Sequence, residues 1–142
     1  MNTTELSSSL RNAISALHKR LRKQAGSVGV YSMTEVETIS HLFRAQSLLP
    51  TELAALTRVK TQSMSQILKK MGAQGIIKRT PSKDDKRKVF VSLTPLGHKL
   101  IEKVRYDKDE WLKGAIEKSL TDKEKELIQK ALLLLNKLVE TN

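Results

Sequence analysis

Residues 51–94, TELAALTRVKTQSMSQILKKMGAQGIIKRTPSKDDKRKVFVSLT, restrict the fold of this chain more than any other stretch. Two short helical patterns are followed by two apolar strands with a highly charged loop between them. Thr51 is placed to cap a helix carrying Leu53, Ala54, Leu56 and Thr57, with Leu53 and Leu56 three apart on one face. Arg58-Val59-Lys60 reads as a tight turn. The spacing of Met64, Ile67, Leu68 and Met71 then predicts a helix over about residues 61–73 with one buried stripe. The other positions of that helix, Gln62, Ser63, Ser65, Gln66, Lys69 and Lys70, are groups that donate to base edges or phosphates. Gly75 suits a left-handed helix end. Ile76 and Ile77 open a strand, and Val89, Val91 and Leu93 alternate with Lys88, Phe90 and Ser92, so the returning strand buries one face. The intervening PSKDDKRK is too polar for a core. Lys83, Lys86, Arg87 and Lys88 give its tip the chemistry of a phosphate or minor-groove contact.

Helix, turn, helix, strand, charged loop, strand is the order of a winged helix-turn-helix, a module that seats a helix in a DNA groove. The charge distribution points the same way. The chain of 142 residues has a net charge of +11. Residues 51–94 hold ten Lys or Arg against three Asp or Glu, whereas residues 95–142 hold ten against nine. Clustered excess is the electrostatic footprint of a nucleic-acid partner. Basic surfaces are also common as plain solvated faces; the clustering on one module favours the nucleic-acid reading.

The flanks read as helices. Leu6, Leu10, Ile14, Leu17 and Leu21 recur at helical steps from about Thr4 to Ala25, and their stripe faces either the same chain or a partner chain. Gly26-Ser27-Val28-Gly29 reads as a flexible loop. Ser32-Met33-Thr34-Glu35 has the form of a capping box, opening a helix with Val36, Ile39, Leu42 and Phe43 that stops before Leu49-Pro50. Thr94-Pro95 restarts a helix reaching about Ser119, with Tyr106 the sole core partner in its polar middle. Thr121-Asp122-Lys123-Glu124 is a second capping box. The helix it opens is apolar all round one turn, Leu132 to Leu135, although a terminal helix on a small monomer needs one apolar face. A second copy related by a two-fold axis supplies the missing surface. Leu6, Leu10, Leu17, Leu127, Leu134, Leu135 and Leu138 are the expected interface. The expected architecture is mainly α. An N-terminal dimerisation helix and loop occupy residues 1–30, a winged helix-turn-helix residues 31–94, and C-terminal dimerisation helices residues 95–142.

Three segments resemble the MarR-type transcriptional regulators. Gly75-Ile76-Ile77-Lys78-Arg79 follows the recognition helix, Asp85-Lys86-Arg87 lies in the wing, and Leu93-Thr94-Pro95-Leu96-Gly97 ends the last strand. With the flanking helices the resemblance covers almost the whole chain. It implies a dimeric regulator, a repressor in the first instance, reading palindromic double-stranded DNA with the 61–73 helix in the major groove. It also implies that Thr61, Gln62, Ser63 and Gln66 read bases and that Arg87 enters the minor groove. Asp85 is then either the brace of Arg87 or a plain turn residue. Lys69, Lys83 and Lys86 are candidate phosphate contacts. Glutamine stands at position 66 where the family often has arginine, which shifts the expected preference there towards A·T. The family also binds small, often aromatic or phenolic, effectors in a cleft beside the dimerisation helices. Two departures stand out. The wing opens with Ser82-Lys83 in place of Asp-Pro, and Lys60 occupies a position where a serine or threonine cap is common, leaving Thr61 to cap.

Other function classes lack their motifs. The chain has no cysteine, hence no disulfide, thiolate metal site or cysteine nucleophile, nor the thiol chemistry of the peroxide-sensing branch of that family. There is no Gly-rich phosphate loop, HExxH or nucleophile elbow. His18, His41 and His98 are too far apart to suggest a metal site, and Met33, Met64 and Met71 read as core fillers. No catalytic residue, metal or cofactor is expected. No apolar run approaches the ~20 residues of a membrane span, and the N-terminus lacks a secretion pattern, so a cytoplasmic protein is expected. Two alternatives stay open beside the site-specific regulator: a sequence-tolerant DNA-organising protein of the same fold, and an interaction module that no longer binds DNA.

Overall fold

Helical spacing before residue 74 and strand alternation after it converge on one apolar core in the computed structural model, which describes residues 1–24 and 31–142. Its elements are α1 (Thr3–Lys23), α2 (Met33–Ala45), β1 (Ser47–Leu48), α3 (Pro50–Thr57), α4 (Thr61–Ala73), β2 (Ile77–Pro81), β3 (Val89–Leu93), α5 (Pro95–Ser119) and α6 (Asp122–Val139). The chain is mainly α, with the winged helix-turn-helix order predicted from its sequence. The loop expected at Gly26–Gly29, and the last residue of the helix expected to reach Ala25, lie outside the described residues.

The described residues fall into two compact units. One comprises Met1–Gln24 with Asp107–Asn142; the other is the stretch between them, ending at Tyr106. The core of the second unit takes Ile39 and Leu42 from α2, Leu53 and Ala54 from α3, and Met64, Leu68 and Met71 from α4. Ile76, Ile77, Val91 and Leu93 come from the sheet region, and Ile101 and Val104 from the first half of α5. In the first unit, neither α1 nor α6 buries a single residue.

The sheet is antiparallel in the order β1-β3-β2, with Ile77 opposite Leu93, Pro81 opposite Val89, and Leu48 opposite Val91. The sequence reading contained no β1. Two residues cannot display a period, and this strand exists only because the chain leaving α2 meets the open edge of β3.

Several local expectations are corrected. Thr51 does not cap α3; the helix begins earlier, with Leu49 as N-cap and Pro50 as its first residue. The Leu49 N–H donates to Glu52 Oε1 at 2.9 Å in place of a hydroxyl cap. Leu56 is exposed and Ala54 takes the second buried position, because a two-turn helix turns Leu53 and its neighbour inward. Thr61 does not cap α4; Lys60 is the N-cap and contributes no side-chain bond. Arg58, with φ 57° and ψ 40°, makes the left-handed turn residue without glycine. Ser32 Oγ does accept from the Glu35 N–H at 3.1 Å, but the Glu35 side chain does not return to complete the box. Met33 and Tyr106 are exposed and fill no core.

The two junctions that position the module follow the predicted pattern. At the end of α4, Gly75 has φ +76°, the Ile76 N–H donates to the Met71 carbonyl at 3.0 Å, and the Gly75 N–H donates to that of Gly72 at 3.1 Å. These paired bonds around a left-handed residue form a Schellman motif, and Ile76 packs beneath it. At the start of α5, Thr94 Oγ1 accepts from the Gly97 N–H at 3.1 Å and donates to the Ile76 carbonyl at 3.0 Å. Gly97 lies directly against that carbonyl, where no Cβ fits. In the other unit, Thr121 and Glu124 form the expected reciprocal box at the start of α6. Its backbone and hydroxyl bonds to the Glu124 carboxylate hold that group below its ordinary pKa.

Candidate nucleic-acid interface

Burying Met64, Leu68 and Met71 dictates what α4 shows on its other side. At 3.6 residues per turn, Gln62, Gln66, Lys69 and Ala73 form the row opposite that stripe. All four are exposed. Thr61 and Ser63 are exposed at the first turn, where the helix N-terminus presents unpaired N–H groups. No acidic residue lies in that first turn. The row is therefore a set of amide donors and acceptors with one ammonium, on a surface that repels no anion.

The wing between β2 and β3 is ordered by its own backbone. Ser82 N–H donates to the Lys88 carbonyl at 2.9 Å, and Lys88 N–H donates to that of Asp85 at 3.0 Å. Ser82 Oγ accepts from the N–H groups of Asp84 and Asp85 at 3.3 and 3.4 Å. The serine that departs from the family's Asp-Pro opening thus organises the turn by its hydroxyl. Asp85 Oδ1 accepts from the Arg87 backbone N–H at 3.0 Å and from Arg87 Nε at 3.3 Å. The Arg87 side chain is 91% exposed while Asp85 holds its Nε, so the two terminal nitrogens project from a tethered base. Lys83, Lys86 and Lys88 are exposed around it.

One candidate donor is committed elsewhere. Lys70 Nζ donates to Glu35 Oε1 at 3.1 Å, joining α4 to the first turn of α2. Sequence reading missed this contact, since Glu35 matched a local capping box and its partner is 35 residues away. His41, half-buried on α2, is held below its ordinary pKa first by burial and then by the Arg44 guanidinium, with Glu37 opposing. Arg44 Nη2 lies 3.1 Å from His41 Nδ1. Among the described residues, no three His, Cys, Asp or Glu side chains gather as metal ligands. None of the described helices is long and apolar enough to cross a membrane.

Comparison with known proteins agrees with this geometry. The MarR family model matches residues 32–88, the span of α2 through the wing. An HTH-type transcriptional regulator of Mycobacterium tuberculosis is 28% identical over 135 residues, covering 95% of this chain and 93% of the relative. A Pseudomonas aeruginosa structure solved as a candidate transcriptional regulator has a TM-score of 0.86 at 26% identity, covering 98% of this chain and 96% of its own. A mutant of S. aureus MepR, solved bound to an oligodeoxyribonucleotide, shares the fold at a TM-score of 0.69 and 18% identity, over 95% of this chain and 98% of its own. The first two carry the names of transcriptional regulators. Fold, motifs and relatives agree: the segment from α2 through the wing matches the MarR family, and nearly the whole chain is similar to HTH-type transcriptional regulators.

Proposed function

We propose that the chain is a cytoplasmic homodimeric repressor that reads a palindromic operator. The observation that carries this reading is the exposed row Gln62, Gln66 and Lys69 on α4, flanked by a wing whose exposed cations surround Arg87. The oligodeoxyribonucleotide bound to the MepR mutant, a protein of the same fold, supports a DNA partner. Two such helices related by a two-fold axis enter successive major grooves about one turn, roughly 34 Å, apart. The wings then reach the flanking minor grooves. The absence of buried residues on α1 and α6 in a single chain supports dimerisation through Leu6, Leu10, Leu17, Leu127, Leu134, Leu135 and Leu138. Relief of binding by a small aromatic or phenolic ligand rests on the family resemblance alone.

In this reading Gln66 bonds an adenine edge. Gln66→Ala is expected to cost about 1–3 kcal/mol on the best site and to relax preference at one base pair. Equal weakening on all sequences, measured by competition against single-base variants, would place the base-reading register elsewhere on α4. Arg87 supplies one charge-assisted contact in a narrow groove. Arg87→Ala should weaken binding and lower the slope of log K against log salt by roughly one unit. An unchanged slope would remove the wing from the interface.

The whole reading is tested by titrating the protein onto the DNA upstream of its own gene and onto scrambled DNA of equal length, at several salt concentrations. Preference for the native fragment at moderate salt is the expected result. Equal binding with a steep salt dependence supports the sequence-tolerant DNA-organising alternative. Absence of binding at low salt supports a module that works through another partner.

A further inference from the structure

Glu35 is 5% exposed, and its Oε2 is buried with no hydrogen-bond partner among the described residues. Among the described residues its other oxygen is held by Lys70, whose side chain remains 55% exposed. A buried, half-satisfied carboxylate is expensive, and a well-packed apolar pair commonly serves stability as well or better. Stability is therefore a poor account of why this pair sits where it does. Its place in the fold gives a better one. Lys70 stands one turn after Gln66, on the flank between the buried stripe and the exposed row of α4. Glu35 lies in the first turn of α2, whose next turns carry the buried Thr38, Ile39 and Leu42.

The apolar packing of α4 leaves its rotation weakly specified. Two of its three fully buried side chains, Met64 and Met71, are methionines. Methionine has three rotatable bonds and accommodates small displacements of its helix at little cost. A hydrogen-bonded charge pair with one partner buried has a single good geometry. Base reading needs side chains held within about 0.5 Å and 10–20° of their working position.

We propose that Glu35 is a positioning residue for base reading. Through Lys70 it sets the rotation of α4 about its own axis, and Lys70 is a strut and not a phosphate contact. The inference rests on the reading of α4 as the recognition helix. It differs from what the exposed lysine alone suggests, because loss of a phosphate contact lowers the salt slope and loss of a strut leaves it unchanged.

The test uses Glu35→Gln, Lys70→Gln, the double variant and Lys70→Arg in the full-length protein. Three quantities are measured: hydrogen exchange of the α4 amides without DNA, the ratio of affinities for a site selected by the wild type and for scrambled DNA, and the salt slope. Glu35→Gln and Lys70→Gln should each speed exchange along α4 and reduce the affinity ratio about tenfold, with the salt slope unchanged. The double variant should be no worse than either single change, and Lys70→Arg should restore the ratio. If Lys70→Gln weakens both DNAs equally and lowers the slope by about one, Lys70 contacts phosphate and the proposal is overturned. A lower melting temperature with an unchanged ratio overturns it as well, leaving the pair a stability contact only. Should the wild type show no preference between the two DNAs, the recognition-helix reading fails separately. Exchange alone then decides: faster α4 amides support the strut, and unchanged ones overturn it.

Discussion

Leu134→Glu is expected to convert the protein from a dimer to a monomer in sedimentation and to remove most of its affinity for a palindromic site. In a single chain Leu134 is 62% exposed, in the second half of an 18-residue helix that buries nothing. Leu127, Leu134 and Leu138 lie at steps of seven and four, so they share one face of α6. In the same unit α1 also leaves Leu6, Ile14 and Leu17 exposed. Exposed apolar helix faces of this kind mark an interface. A carboxylate at its centre must be desolvated without a partner, at several kcal/mol per copy, and a two-fold axis places it there twice. Separated half-sites also lose the effective-concentration advantage of linkage, about 10²–10⁴ in affinity. A variant that stays dimeric would move the interface off this face of α6.

The second large effect is expected on stability. Gly97→Ala should lower the unfolding free energy by about 2–3 kcal/mol and the melting temperature by on the order of 6–10 °C. The added methyl would collide with the Ile76 carbonyl oxygen, and it would also lie 3.1 Å from Leu93 Cδ2. That oxygen cannot retreat freely, since it accepts from both the backbone N–H and the hydroxyl of Thr94 at 3.0 Å. Relief requires α5 to lift from the start of β2, which opens the core around Ile101 and Val104. Gly114→Ala is the matched control. Among the described residues nothing beyond its own stretch of helix stands within 4 Å of its Cβ position, and it lies inside the same helix. There the change should stabilise by about 0.5–1 kcal/mol through helix propensity. Calorimetry on both variants checks the pair. Equal melting temperatures would mean that the α5 junction yields more easily than its hydrogen bonds indicate.

Features set by neighbours within a few residues were legible in the chain alone. The stripe of Met64, Leu68 and Met71, the left-handed end at Gly75, the Thr94-Pro95 restart and the Thr121–Glu124 box all follow from local periodicity and capping chemistry. From them came the order of the module and the exposed row Gln62, Gln66 and Lys69. Caps were misassigned where two local solutions compete. Leu49 with Pro50 displaced Thr51 because proline needs no N–H partner at the first helical position. Arg58 showed no signal because non-glycine residues enter the left-handed region only when the surrounding fold holds them there.

The sequence by itself determined the mainly α winged module, its concentration of positive charge and the excess of leucine on the terminal helices. Each is a property of spacing or composition along the chain. Only the tertiary structure decided that β1 exists, that Gly97 must admit a carbonyl, and that Glu35 turns away from its own helix start to hold Lys70. The physical reason is the same in each case. A backbone edge, an orphaned oxygen or a buried charge takes the best partner in space, and spatial neighbours 21 to 45 residues apart leave no periodic mark on the chain.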